Sequence, residues 1–356
     1  MIGHLVLENG RSFKGKLLND CIMADGEVVF TTAMISYQDI ITDPSFYGQI
    51  VVMTYPLVGN VGFNEKSFAS QGAMIKGLVL REAAAFPSHY EMETDLISFL
   101  NKSEIPVLTQ VDTRALTREL RKSGSMGGVI CEQADDLVRL KTQAAKGLQN
   151  LQQDLVQYVT RKNYMRFGEG EKTIVLLDLG TKRGAIDSLI SRGVQVIAVP
   201  ASTPSEEIKR LQPDGILISD GPGDPLSVPY VQRTVEELLG FKPMFGVGLG
   251  HQLIALAFGG TIIRLPQGHR GSNQPVRSMM SGRIYITSQN HGYTVDPESI
   301  AAAPIEIILT SLNDGSIEGI QHKTLPVRSV QFDPEGHPGY SDTGFYFDEF
   351  IAGLAD

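Results

Sequence analysis

Cysteine is nearly absent from this chain: 356 residues carry only two, Cys21 and Cys131. They lie far apart, so no zinc-type spacing and no disulfide framework follows, and a reducing cytoplasm is the expected location. Positive charge is also scarce. Lys plus Arg number 31 against 40 Asp plus Glu, a net charge of −9, which argues against a nucleic-acid footprint. No run of 18 apolar residues occurs, so no membrane span is expected. The opening MIGHLVLENGRS has neither a basic n-region nor an apolar core, so no signal peptide is expected. What is present is ordinary for a well-cored globular chain, with 42% hydrophobic and 20% charged residues. The length predicts two domains.

The first 130 residues read as strand-rich. Asn9-Gly10 sits between His4–Glu8 and Ser12–Leu17, a hairpin signal because both turn residues tolerate positive φ. Further strands are expected over Glu27–Thr32, Gln49–Tyr55, Met74–Arg81 and Val129–Cys131, and helices over Glu91–Leu100 and Thr113–Lys122. A polar stretch to about Arg166 reads as a helix and then a linker. From Lys172 the pattern alternates: strand Thr173–Asp178, helix Ala185–Ser191, strand Gln195–Val199, helix Ser205–Leu211, strand Gly215–Ser219. That order predicts a parallel sheet wrapped by helices. The division is thus an N-terminal mixed α/β domain over 1–150, a linker over 151–171, and a doubly wound parallel-sheet α/β domain over 172–356.

The segment Pro243–Ala257 reads strand, Gly-rich turn, helix. Such a turn holds its apex residue above the sheet edge, where free N–H groups of the following helix can hold an oxyanion. The apex is Gly248, which has no side chain. A dinucleotide loop is disfavoured, because His251 stands where G-x-G-x-x-G needs a third small residue. A turn with only a packing role is the plain alternative. Around it stand Ser219-Asp-Gly-Pro-Gly-Asp-Pro225, His269–Asn273, Gln289-Asn-His-Gly-Tyr293, which is expected to follow a strand Arg283–Thr287, and Val330-Gln-Phe-Asp-Pro-Glu335.

Together these segments resemble the class I (triad) glutamine amidotransferases, and within them the small-subunit family of carbamoyl phosphate synthetase. Tyr37-Gln38, Asp43-Pro-Ser45, Tyr47-Gly48-Gln49, Thr54–Asn60 and Val111-Asp-Thr-Arg114 resemble that family's N-terminal domain. The resemblance implies a cysteine that attacks the side-chain amide of glutamine, a histidine that activates the thiol and protonates ammonia, and a glutamate that orients the histidine. Ammonia then passes to a large subunit, which carries the ATP and metal-ion chemistry; no cofactor or metal is expected in this chain. Two of the three positions depart from that pattern: Gly248 stands for the cysteine and Asp333 for the histidine, while Glu335 remains.

Glutamine binding is expected, by the same resemblance, from Ser45, Gly221, Gly223, Leu249, Gln252, Asn290, Gly292 and Tyr293, with N–H groups of Leu249 and Gly223 toward the amide oxygen. Local turn or helix-start chemistry is the alternative for each. His251 and His337 are candidates for a substitute base, and structural roles are the alternative. The expected protein is a small subunit with a silent glutaminase, partnered by a large subunit, with glutamine as ligand and with no nucleic acid or membrane. The rivals are a glutaminase that works by another route or was inactivated by engineering, and a subunit that senses glutamine without turnover.

Overall fold

The computed structural model describes residues 1–354 except Ile22, His337, Pro338, Tyr340 and Ser341, with the side chain of Leu151 also outside the description. The chain divides into two compact units. One is Met1–Gln153 with Pro266–Gly271; the other is Asp154–Leu265 with Ser272–Asp356.

The first unit is a closed seven-stranded barrel. Around the ring run Ile2–Leu7, Ser12–Leu17, Val107–Thr109, Gly77–Val79, Gln49–Met53, Ala24–Thr31 and Met126–Cys131, and the last pairs back with the first. Successive side chains point to opposite faces, so a strand such as Gln49–Met53 feeds two cores. Leu5, Leu7, Val28, Ile50, Val52 and Val79 share one core. Val29, Val51, Met53, Leu78 and Leu80 belong to a second core, with residues of the helices Tyr37–Thr42 and Leu96–Lys102. The Asn9-Gly10 hairpin forms, with Gly10 at φ +89° and Val6 opposite Ser12.

The helix expected from Glu91 starts only at Leu96. The Asp95 carboxylate caps it, accepting from Ile97 and Ser98 N–H at 2.9 Å each, while Thr94 is held in a bridge to Phe63. Pro266–Gly271 belongs to this unit: Ser125 N–H donates to the Pro266 carbonyl, and Arg270 lies 3.6 Å from the buried Glu27 carboxylate.

The second unit is a ten-stranded sheet. Its parallel part runs Gln195–Pro200, Thr173–Asp178, Gly215–Ile218, Met244–Val247 and Val327–Val330. Both faces are covered. Val175, Leu177, Ile216 and Ile218 pack with Val231, Val235, Leu253 and Ile254 of the helices Pro229–Leu238 and Leu249–Ala257. Ile174, Leu176 and Leu217 pack with Ile186, Leu189, Phe347 and Phe350 of the helices Arg183–Ile190 and Phe345–Ala352. Burial on both sides is why these strands read as unbroken apolar runs. The sheet is not parallel throughout, because Ile317–His322 and Ile305–Ser311 extend it antiparallel.

Two expectations are corrected here. The stretch 151–171 is no simple linker: it contains the helix Val156–Val159 and the strand Met165–Phe167, which adds to the sheet edge beside Gln195–Pro200. Asp178 anchors it, accepting from Arg161 N–H at 2.7 Å and from its guanidinium at 2.9 Å. Residues 289–293 do not follow a strand but lie inside one, Ile284–Val295. Pairing of two of the buried side chains helps to permit it: Gln289 Nε2 donates to Glu318 Oε2, and His291 Nε2 faces Gln289 Oε1, each at 2.9 Å.

The helix Leu137–Gln149 lies close against the barrel because Gly127 has no side chain. A Cβ there would overlap the Ala144 carbonyl oxygen and stand 2.7 Å from its carbon. Gly127→Ala is expected to lower unfolding free energy by about 2 kcal/mol or more, as overpacking against rigid backbone does; urea denaturation of the variant measures it.

Candidate active site

In open α/β sheets, ligands bind outside the carboxyl ends of the parallel strands. Here four neighbouring strands end in residues that converge. Thr173–Asp178 leads to Lys182, Gly215–Ile218 to Asp220, Met244–Val247 to Gly248, and Val327–Val330 to Asp333 and Glu335.

The turn at the centre has the shape expected of a nucleophile elbow. Gly248 has φ +54° and ψ −111°, its N–H donates to the Val330 carbonyl at 3.0 Å, and the helix Leu249–Ala257 starts at once. A residue with a side chain would adopt that backbone at a cost of about 1–3 kcal/mol, and glycine adopts it freely. Asp220 flanks the apex. Its Oδ1 accepts the Leu249 N–H at 2.9 Å.

Sequence reasoning missed Lys182. Its ammonium is buried, 2.5 Å from Asp333 Oδ2 and 3.5 Å from Glu335 Oε1. Asp178 places it, because its carboxylate accepts from Gly180 and Thr181 N–H at 3.2 and 2.7 Å and shapes the turn that precedes Lys182. The pattern Asp178-Leu-Gly-Thr-Lys182 at the end of an apolar strand was the available signal. Asp333 is held further by an isolated bridge to Ser288, whose carbonyl accepts the Asp333 N–H at 3.0 Å. Glu335 Oε2 is buried without a hydrogen-bond partner among the described residues.

The expected glutamine-binding residues fall in several places. Gly221 and Gly223 follow the strand Gly215–Ile218, Leu249 and Gln252 open the helix, and Asn290, Gly292 and Tyr293 lie in the strand Ile284–Val295. The Gln252 amide donates to the Tyr293 carbonyl and to Gln331 Oε1, both at 3.0 Å, so it ties helix to strand. Ser45 belongs to the first unit, buried in the turn Pro44–Phe46 with its N–H on Asp43 Oδ1 at 2.8 Å.

Neither cysteine, nor His251, takes the place of a nucleophile or base in the described part of the site. Cys21 and Cys131 belong to the first unit, and burial pushes both thiols up. His251 is fully buried with Nδ1 on Ser329 Oγ at 2.8 Å, and burial lowers its pKa from 6.5 to about 3. It is a neutral core histidine. His337 lies outside the described residues.

Comparison with known proteins agrees with this architecture. Residues 5–130 match the model of the carbamoyl-phosphate synthase small chain, CPSase domain, and residues 175–352 match glutamine amidotransferase class-I. The chain belongs to the carbamoyl phosphate synthase small-chain family. It is 44% identical over 352 residues to the carbamoyl phosphate synthase small chain of Caldanaerobacter subterraneus subsp. tengcongensis, covering 99% of this chain and 96% of that one. It is 43% identical to the arginine-specific small chain of Bacillus subtilis, covering 99% and 96% of the two chains. To the pyrimidine-specific small chain of the same organism it is 42% identical, covering 98% and 94%. Among the described residues no helix is long and apolar enough to cross a membrane.

Two expectations follow from the charges. Lys182→Met leaves two buried carboxylates without their cation and should cost about 3–5 kcal/mol, part of it recovered by adding Asp333→Asn; denaturant midpoints of both variants test this. His251 binds a proton more readily unfolded than folded, so between pH about 6.5 and about 3 its contribution to stability falls as pH falls. The slope reaches about 1.4 kcal/mol per pH unit. The difference in urea stability between wild type and His251→Leu, followed from pH 7 to pH 4, should shrink by that slope.

Proposed function

We propose that this chain is a carbamoyl phosphate synthetase small subunit whose own glutaminase is silent, and that it acts by docking a large subunit that uses free ammonia. The observation that carries the reading is the apex of the turn. An amidotransferase of this class needs a thiolate there and an imidazole opposite, and this chain offers Gly248 and an Asp333 paired with Lys182. Loss of the nucleophile from a hydrolytic triad costs about 10⁶ in kcat, roughly 8 kcal/mol of barrier. Asp333 and Glu335 are poor replacements as a water-activating pair, because the Lys182 ammonium takes an oxygen of each.

Docking has its own support in the first unit. Met34, Ile35, Tyr55, Leu57, Phe86 and Tyr90 are exposed, Phe86 by 89% and Tyr90 by 88%. They sit on connected backbone: Thr54 N–H donates to the Thr31 carbonyl, Ala84 to Val58 and Ser88 to Asn60. Exposed apolar and aromatic side chains of this kind suit a protein interface.

The test is co-purification with a carbamoyl phosphate synthetase large subunit, followed by assay with bicarbonate, ATP and either glutamine or ammonium. Ammonium should support carbamoyl phosphate synthesis, and glutamine should yield no glutamate above background. Glutamate release that keeps pace with carbamoyl phosphate formation would overturn the reading, as would failure of the two chains to associate.

A further inference from the structure

The missing thiol is not the only change at the apex of the turn. A Cβ built on Gly248 would overlap Asp220 Oδ1 and lie 2.9 Å from the Asp220 Cβ. The volume into which a residue at 248 projects is therefore filled by a carboxylate from the next strand end. The same oxygen accepts the Leu249 N–H, at 2.9 Å. That donor opens the nine-residue helix Leu249–Ala257, where the backbone dipoles favour negative charge.

We propose that Asp220 is a built-in occupant of the seat for the substrate carboxamide, so that the site rejects glutamine independently of the absent nucleophile. The proposal rests on reading Gly248 as the emptied nucleophile position. A carboxamide oxygen is neutral, and a bond from N–H to carboxylate is about twice as strong as one to a neutral acceptor. An incoming amide must break that bond and also find room where Asp220 lies. Asp220 is half-buried, and the backbone that carries it is tied to the same helix start, because Gly250 N–H donates to the carbonyl of the preceding Ser219 at 3.1 Å. Reintroducing a thiol by Gly248→Cys, even together with Asp333→His, therefore places the new side chain in occupied space. Shortening Asp220 is the third change that an active site would require.

Two measurements on the full chain test this. In calorimetric titration with glutamine, Asp220→Ala and Asp220→Ser should bind at least tenfold more tightly than wild type. In thermal unfolding, Gly248→Ala should lower the transition temperature in the wild-type background and lower it by less than half as much in the Asp220→Ala background. The second readout needs no ligand: the backbone cost of a side chain at φ +54° is common to both backgrounds, so the difference between them reports the overlap with Asp220. Unchanged glutamine affinity in two folded Asp220 variants overturns the proposal, as does an equal thermal penalty for Gly248→Ala in both backgrounds. Glutamate release by the wild-type chain would instead sink the silent-site reading, whichever way Asp220 behaves.

Discussion

One buried ammonium organises the carboxyl edge of the second unit. Lys182 contacts both Asp333 and Glu335, with all three residues almost wholly removed from solvent. Taking such charges out of water costs several kcal/mol per ion, and only close pairing offsets it. The arrangement therefore demands that two strand ends keep their spacing. Asp178 shapes the turn before Lys182 and also holds Arg161, so the same requirement reaches back to the start of the unit. Ser288, bridged to Asp333, extends it to the strand Ile284–Val295.

The turn at Gly248 shows that scaffold and chemistry are separately determined. Its backbone is held by the Val330 carbonyl, by the parallel pairing of Met244–Val247 with Val327–Val330, and by the packing of Leu249, Leu253 and Ile254. None of these interactions uses a thiol. Positive φ is a strain for a residue with a side chain and none for glycine, so Gly248 holds the turn without that strain. The elbow geometry therefore does not require a side chain at its apex.

Legibility in the sequence followed the range of the interactions concerned. Short-period patterns are readable: the Asn9-Gly10 hairpin, the apolar runs of the parallel strands, and the glycines of the turn before Leu249 each leave a signal within a few residues, although distant partners such as Val330 hold the turn in place. The order of the polar stretch 151–171 is not legible in the stretch itself, because it comes from a distant carboxylate, Asp178, rather than from an apolar period of its own. The same holds for residues 289–293: Gln289, His291 and Gly292 resemble loop chemistry until Glu318 pairs with the glutamine. The return of Pro266–Gly271 to the first unit leaves no mark in local composition.

By itself the sequence determined which side chains exist at the apex and beyond it: none at 248, a carboxylate at 333 and another at 335. It also determined, through the motifs of both halves, the family to which the chain belongs. Only the tertiary structure decided which side chains stand beside the apex and beside Asp333. Lys182 and Asp220 follow two other strands, and the order in which strands lie in the sheet, not their order in the chain, brings those ends beside Gly248 and Asp333. The physical reason is that burial of charge is a property of a place, and a place at a sheet edge is assembled from segments far apart along the chain.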